Sequence, residues 1–146
     1  MNVRKATPQD AIELTVLVKQ FVKEAKYTVK VDTKLVMENF EKITENPSFF
    51  VHVAEHEDSL VGFLVGAVNT SLFSLDAAGV ELGWYLDPEH RDGKTAIVLL
   101  KKFEDWCVQK KCKHISLADI HTLKSMGGLY ERKGYTLTEK TYVKEL

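Results

Sequence analysis

Six consecutive residues, Arg91, Asp92, Gly93, Lys94, Thr95 and Ala96, stand between the strand-like run "GVELGWYLD" (79–87) and the apolar-striped run "IVLLKKFEDWCVQKK" (97–111). A turn that passes from a strand into a helix leaves the first-turn N–H groups without intrahelical partners, and the helix dipole adds partial positive charge. Small and basic residues at that point suit an anion. The first candidate is a nucleotide P-loop, since Gly93, Lys94 and Thr95 open the helix and a short apolar run ends at Asp119. That motif needs a glycine five residues before Gly93, where this chain has Pro88, which offers no N–H and fixes its own φ. The residues between them, Glu89 to Asp92, are bulky where a tight anion nest wants freedom. Too little chain follows Asp119 to complete a parallel sheet. The triplet does not make a P-loop, and the turn is left as a phosphate site of another kind.

Other reactive residue types form no metal-binding pattern. His52 and His56 lie four apart in a strand-like run, some 13 Å at strand rise, too far to share an ion. Cys107 and Cys112 are five apart on or just past one helix, with neither metal-ligand spacing nor a disulfide framework. With a formal net charge of -1, the chain lacks the basic surface that nucleic-acid binding requires. No apolar run reads as a signal peptide or a membrane span, so the expectation is a cytoplasmic protein without membrane or nucleic-acid partners.

These residues need elements to position them. With 146 residues and no linker, repeat or low-complexity run, the chain reads as one domain, 1–146. "NVRKA" is a short strand. Thr7, Pro8 and Asp10 give a capping-box-like start to a helix whose Leu14, Leu17, Val18, Phe21 and Ala25 share a face. A second helix runs from Thr33 to Thr44 and ends before Pro47. "SFFVHVAEHEDSLVGFLVGAVN" reads as a hairpin turning at Glu57, Asp58 and Ser59, and "GVELGWYLD" as a third strand. After the helix of Leu99, Leu100, Phe103 and Cys107 come a short strand "HISLAD", a helix "TLKSMGGLYERKG" stopped at Gly134, and one or two closing strands in "YTLTEKTYVKEL". The sum is an α/β fold with a mixed, largely antiparallel central sheet and flanking helices.

The order of "VRKATPQDAIEL", "VHVAEHEDSLVGFLVG", "VELGWYLDPEHRDGKTAIVLLKKFEDWC" and "LYERKGY" resembles the GNAT superfamily of N-acetyltransferases over nearly the whole chain. Its phosphate motif, Gln/Arg-x-x-Gly-x-Gly/Ala, is matched from Arg91 to Ala96 in the opening Arg, the spacing and the small last residue. The departure is Lys94, in place of the middle Gly, which some phage-type members also resemble. The resemblance implies acetyl-CoA as cosubstrate, its pyrophosphate over the N–H groups of Arg91, Asp92, Gly93, Lys94, Thr95 and Ala96. It implies a strand splayed at a bulge, with backbone N–H groups of Trp84, Tyr85 and Leu86 toward the pantetheine arm and the acetyl carbonyl.

Acetyl transfer needs a base for the amine and an acid for the departing thiolate. The resemblance implies Glu81, the only acid between Asp76 and Asp87, as base and Tyr130 of "LYERKGY" as acid. Gly127, three before Tyr130, shares its helical face and leaves room for a cofactor arm. Where the family commonly has a pantetheine-contacting Asn the chain has Leu123, leaving His121, Thr122 or Ser125 as substitutes. His121 is also a substitute base, and the lysines between Lys19 and Lys34 read as a solvated helix face. The implied acceptor is a small-molecule or protein amine, with a homodimer among the expected states. The other class in play is a catalytically weak acyl-CoA-binding or protein-interaction module on the same fold.

Overall fold

A computed structural model describes residues 1–146. One sheet of five strands runs in chain order: β1 (Asn2–Lys5), β2 (Phe49–His56), β3 (Ser59–Thr70), β4 (Ala77–Leu86) and β5 (His114–Ser116). The first four pair antiparallel and β5 pairs parallel to β4, which is the mixed, largely antiparallel sheet that the sequence implies. Helices α1 (Ala11–Glu24) and α2 (Thr33–Ile43) connect β1 to β2. Helix α3 (Lys94–Gln109) connects β4 to β5, and α4 (Gly127–Arg132) follows β5.

β3 reads as an almost unbroken apolar run because both faces of the sheet are covered. One core holds Leu14, Leu17 and Phe21 of α1 against Val53, Phe63 and Val65. The other holds Leu99, Phe103 and Cys107 of α3 against Phe50, Leu64 and Leu86. α3 comes in so close that a Cβ on Gly66 would lie 2.3 Å from the Phe103 ring, and one on Gly79 2.2 Å from the Cys107 sulfur. The β2–β3 hairpin closes through Glu57 and Asp58, both at positive φ (50° and 62°), as a two-residue turn matching strand twist demands.

Asp10 ties the chain start to the sheet. Its carboxylate accepts two hydrogen bonds from Arg4 (2.8 and 2.9 Å) and one from the Thr7 N–H at 2.8 Å, while Arg4 Nε donates to Glu55 at 3.1 Å. The short 3-10 turn Pro8–Asp10 therefore enters α1 from a fixed angle.

Three expectations are corrected. The segment after α4 forms no strand: residues 136–146 are exposed and the last backbone hydrogen bond is Tyr135 N–H to the Tyr130 carbonyl at 2.9 Å. Strand propensity there finds no neighbour within the chain to pair with. The last helix is only Gly127–Arg132, because Asp119 accepts from the Met126 N–H and the Ser125 hydroxyl (2.8 Å each), holding the preceding residues in a loop. "HISLAD" is a strand only over His114–Ser116, for a reason that lies in β4.

Asp10→Asn should destabilise the protein by about 2–3 kcal/mol, below the range for fully buried pairs because Arg4 keeps 32% of its side chain in water. The Arg4 hydrogen bonds hold the Asp10 carboxyl below its ordinary 3.8. Its contribution is present above that value and lost as pH falls through the lower folded value. Urea melts should show the variant converging on the parent under acid; an equal gap at every pH would refute the pair's role.

Candidate active site

The ladder between β3 and β4 pairs Leu64 with Trp84 and Val65 with Gly83, then Gly66 with Glu81. Leu82 is the extra residue of a β-bulge, and it is 56% exposed. Bulges bend and twist the strand that carries them. Before the bulge, Ala78, Gly79 and Val80 pair with β5. After it, Trp84, Tyr85 and Leu86 keep β3 on one side and have no strand on the other. The sheet opens between β4 and β5, and β4 presents unpaired backbone groups to the gap, as a splayed strand requires.

At the end of β4 the chain turns through Asp87 and the 3-10 turn Pro88–His90, then reaches Gly93 at φ 82° and enters α3. Arg91 does not reach toward open solvent for an anion. Its Nε donates to the Leu86 carbonyl at 2.8 Å, its guanidinium meets the Glu24 carboxylate at 2.7 and 2.9 Å, and it lies 5.5 Å over the Tyr85 ring. Arg91 clamps the turn to β4 and α1. Asp92 Oδ1 accepts from the Thr95 N–H at 3.1 Å, and this bond, with help from the Lys94 N–H, holds its carboxyl below 3.8. A carboxylate thus occupies the first turn of α3, so the turn accepts an anion. Thr95 is buried and Ala96 packs on the α3 core, while Lys94 is exposed and makes no ion pair.

Glu81 and Tyr130 meet at one residue, Ala118. The Tyr130 hydroxyl donates to the Ala118 carbonyl at 2.8 Å, and its ring stacks near Trp84 (6.4 Å, 24°). Burial pushes the Glu81 carboxyl up to about 7, with the Ala118 N–H pulling the other way. Burial likewise drives the Tyr130 hydroxyl far above its ordinary 10.0, and the Glu81 charge adds to this. Near neutral pH, Glu81 therefore exchanges its proton readily and Tyr130 keeps its own. A carboxyl poised to accept and a phenol able to donate flank the mouth of the opened sheet.

The neighbouring loop is arranged otherwise than expected. Leu123 packs with Ile120 against the α1–α2 core, and the Thr122 hydroxyl donates to the Ala25 carbonyl, so Thr122 is engaged. Ser125 bonds to Asp119, and His121 is exposed without a hydrogen bond. A Cβ on Gly127 would lie 3.3 Å from the Ser125 hydroxyl and 3.4 Å from Asp119, so that glycine accommodates the loop's own cap. No three His, Cys, Asp or Glu side chains converge as metal ligands.

Sequence reasoning missed Tyr27. α1 ends with Lys26 at φ 57°, the Tyr27 N–H on the Val22 carbonyl (3.1 Å) and the Lys26 N–H on the Lys23 carbonyl (3.2 Å). This closure folds the second residue past the helix back over the last turn, and Tyr27 stands edge-on to Phe21 at 5.7 Å. Its ring is 46% exposed, and the Glu81 charge helps raise its hydroxyl above 10.0. The Phe21–Tyr27 spacing was the available signal, but a lysine where glycine usually ends a helix hid it.

The family model for the Acetyltransferase (GNAT) family matches residues 17–135, and the chain belongs to that family. No curated relative matches the sequence. Among solved structures, a predicted acetyltransferase from Clostridium acetobutylicum, solved with acetyl-CoA, is 18% identical with a TM-score of 0.77, over 99% of this chain and 95% of that one. AAC(6')-Iy, in complex with the bisubstrate analog CoA-S-monomethyl-acetylneamine, is 15% identical with a TM-score of 0.76, over 99% and 97%. A ribosomal-protein-alanine N-acetyltransferase from Brucella melitensis biovar Abortus 2308 is 17% identical with a TM-score of 0.73, over the whole of both chains. At such identities the likeness is one of fold.

The raised Glu81 has a consequence for stability. The folded chain holds this proton up to about 7, the unfolded chain only to 4.5, so stability falls as pH rises between those values. Glu81→Gln should raise the melting temperature above pH 7 by a gain on the order of 1–3 kcal/mol, and the gain should vanish below 4.5. A gain independent of pH would refute burial as its cause.

Proposed function

We propose that the protein is an N-acetyltransferase that moves an acetyl group from acetyl-CoA to an amine. The observation that carries this reading is that Glu81 and Tyr130 both engage the backbone of Ala118, at its N–H and its C=O, beside the gap opened by the Leu82 bulge. Acetyl-CoA supplies an activated thioester. The residues present fit it: the first turn of α3 already accepts a carboxylate, and the open edge of β4 offers unpaired N–H groups. The N–H groups of Gly93, Lys94, Thr95 and Ala96 would hold its pyrophosphate, with Lys94 adding charge and Arg91 fixing the turn.

Glu81 takes the proton from the incoming ammonium, since only a neutral amine attacks a carbonyl. The N–H groups of Trp84 and Leu86, which point away from β3, would face the developing oxyanion, a role for which fixed dipoles suit, while that of Tyr85 points to β3. The Tyr130 hydroxyl, released from the Ala118 carbonyl, donates a proton on the leaving-group side. Tyr27 lines the acceptor side of Glu81. The second reading, an acyl-CoA-binding or interaction module of little activity, draws on that same hydroxyl, which in the free protein is committed to Ala118.

Acetyl-CoA should raise the melting temperature and ATP should not; saturation at a hundred times the dissociation constant adds about 2.7 kcal/mol. No shift at millimolar acetyl-CoA would count decisively against the cosubstrate. Thiol release on a panel of small amines and peptide N-termini separates enzyme from binder.

Tyr130→Phe should keep CoA affinity and lower turnover by about 10²-fold, the lower part of the range for acid–base groups. Glu81→Gln should abolish the acidic limb near pH 7. Because Tyr130 titrates far above 10.0, the wild-type rate should show no alkaline limb from it below that pH. Full turnover in Tyr130→Phe would leave the tyrosine as packing.

Asp92→Ala gives two readouts of opposite sign. Losing the cap on Thr95 should lower the melting temperature of the free protein, and removing a competing carboxylate should tighten CoA binding several-fold by calorimetry. Weaker or unchanged binding would mean that Asp92 does not compete with the pyrophosphate.

A further inference from the structure

Two residues five apart on an unbroken helix do not face each other, so the spacing of Cys107 and Cys112 alone gives the two thiols no reason to meet. The end of α3 supplies one. Lys111 takes φ 60°, its N–H donates to the Val108 carbonyl at 3.0 Å, and the Cys112 N–H donates to the Cys107 carbonyl at 3.0 Å. The same closure ends α1, where it folds Tyr27 back over the last turn. Here it folds Cys112 back over Cys107. With ordinary backbone bond lengths, that 3.0 Å bond keeps the two Cα atoms within about 7 Å, the limit for a disulfide without backbone movement.

Both side chains join the apolar cluster between α3 and the sheet, but they differ in access. Cys107 is 1% exposed, while Cys112 is half-buried. Burial pushes the Cys107 thiol up to about 12, and the adjoining Cys112 thiol adds to this. A thiol held in its protonated form gives the reduced state no added stability, whereas strongly oxidising pairs owe their potential to a stabilised reduced form. The pair also stands at a joint. One residue on, the Lys113 N–H donates to the Ala77 carbonyl at 2.8 Å, and His114 opens the pairing of β5 with β4.

We propose that Cys107 and Cys112 form a reversible disulfide, closed by exchange with a low-molecular-weight disulfide such as glutathione disulfide, that staples the end of α3 at the entry to β5. Cys112, the accessible member, loses its proton, and its thiolate attacks one sulfur of the reagent. The S–S bond of the reagent breaks, one thiolate leaves and takes up a proton, and a mixed disulfide remains on Cys112. Cys107 then gives up its proton and attacks the Cys112 sulfur, expelling the second reagent thiol. Two protein thiols are oxidised, and one reagent disulfide is reduced to two thiols. The covalent loop is short, so the staple constrains the helix end more than the chain at large. The proposal does not depend on the acetyl-transfer reading.

The full chain, equilibrated in glutathione buffers of rising disulfide content, then acid-quenched, unfolded and alkylated, should lose two alkylation sites together. Trypsin cleaves after Lys110 and Lys111, so the closed form should appear by mass spectrometry as two peptides joined through sulfur until reduced. It should outnumber the glutathione adduct about tenfold or more, because closure is intramolecular. It should melt several degrees above the reduced form, and dithiothreitol should abolish the difference. Cys112→Ser leaves the core side chain in place, and its Cys107 should resist glutathione disulfide and alkylation until the chain unfolds. Two alkylation sites retained at every buffer ratio, or an adduct that persists on Cys112, overturn the proposal. So does a closed form that melts below the reduced one, or a Cys107 that reacts as fast in Cys112→Ser as in the parent.

Discussion

One extra residue in β4 governs the layout of the site. Leu82 has no partner on β3, and from that point β4 turns away from the line that would carry it along β5. Without the bulge, the parallel pairing begun at Ala78 would continue past Glu81, and Trp84 and Leu86 would spend their N–H groups on another strand. With it, β5 stops after His114–Ser116 and the chain beyond is free to bring the Ala118 peptide across the gap. The exposed leucine and the lost ladder bonds weaken the sheet locally. That weakness is what leaves an edge available to a ligand inside an otherwise complete sheet.

The chemistry of Glu81 and Tyr130 follows from the same opening. A glutamate on a paired, solvated strand would titrate normally. At the gap Glu81 is largely buried, and desolvation outweighs the single N–H, from Ala118, that favours its charge. Burial raises Tyr130 in the same direction, so its hydroxyl keeps its proton at neutral pH and gives it up only to a strong base. The Thr122–Ala25 bond matters here because it fastens the loop of Ala118 to the end of α1. The Arg91–Glu24 pair ties α1 to the turn after β4 in the same way.

Most of the fold was legible because its signals are local and repeated. The face of Leu14, Leu17 and Phe21, the hairpin of β2 and β3, and the stripe of Leu99, Phe103 and Cys107 each announce an element and its buried side. The site was legible only through its order along the chain. "GVELGWYL" contains nothing that marks Leu82 as the bulged residue, since the bulge falls where the Val65–Gly83 pair gives way to Gly66–Glu81, a register set by the partner strand. Arg91 was expected beside a phosphate, yet Glu24 lies 67 residues away in sequence, and no local pattern reveals such a partner. The closing strands were read from composition in "TYVKEL", where pairing depends on a neighbour that composition does not supply.

The free site is already satisfied, and this limits how any ligand engages it. Asp92 holds the first-turn N–H of Thr95, Glu24 holds Arg91, and the Tyr130 hydroxyl donates a hydrogen bond to the Ala118 carbonyl. A ligand therefore exchanges bonds instead of making new ones, and the net gain per contact is the difference between two partners of similar kind. Under the proposed reading, the Asp92 carboxylate at the α3 turn would have to give way to a pyrophosphate, with unpaired Lys94 beside it to offset the added charge. The exchange at Tyr130 is different. A neutral thioester sulfur is a poorer acceptor than the Ala118 carbonyl, so in the ground state the hydroxyl stays where it is. Only as negative charge builds on the leaving sulfur does the better partner change. An interaction withheld from the ground state and given to the transition state accelerates the step, whereas one given to both does not. If Tyr130 is the acid, as proposed, its bond to the Ala118 carbonyl is the one that the leaving group must displace.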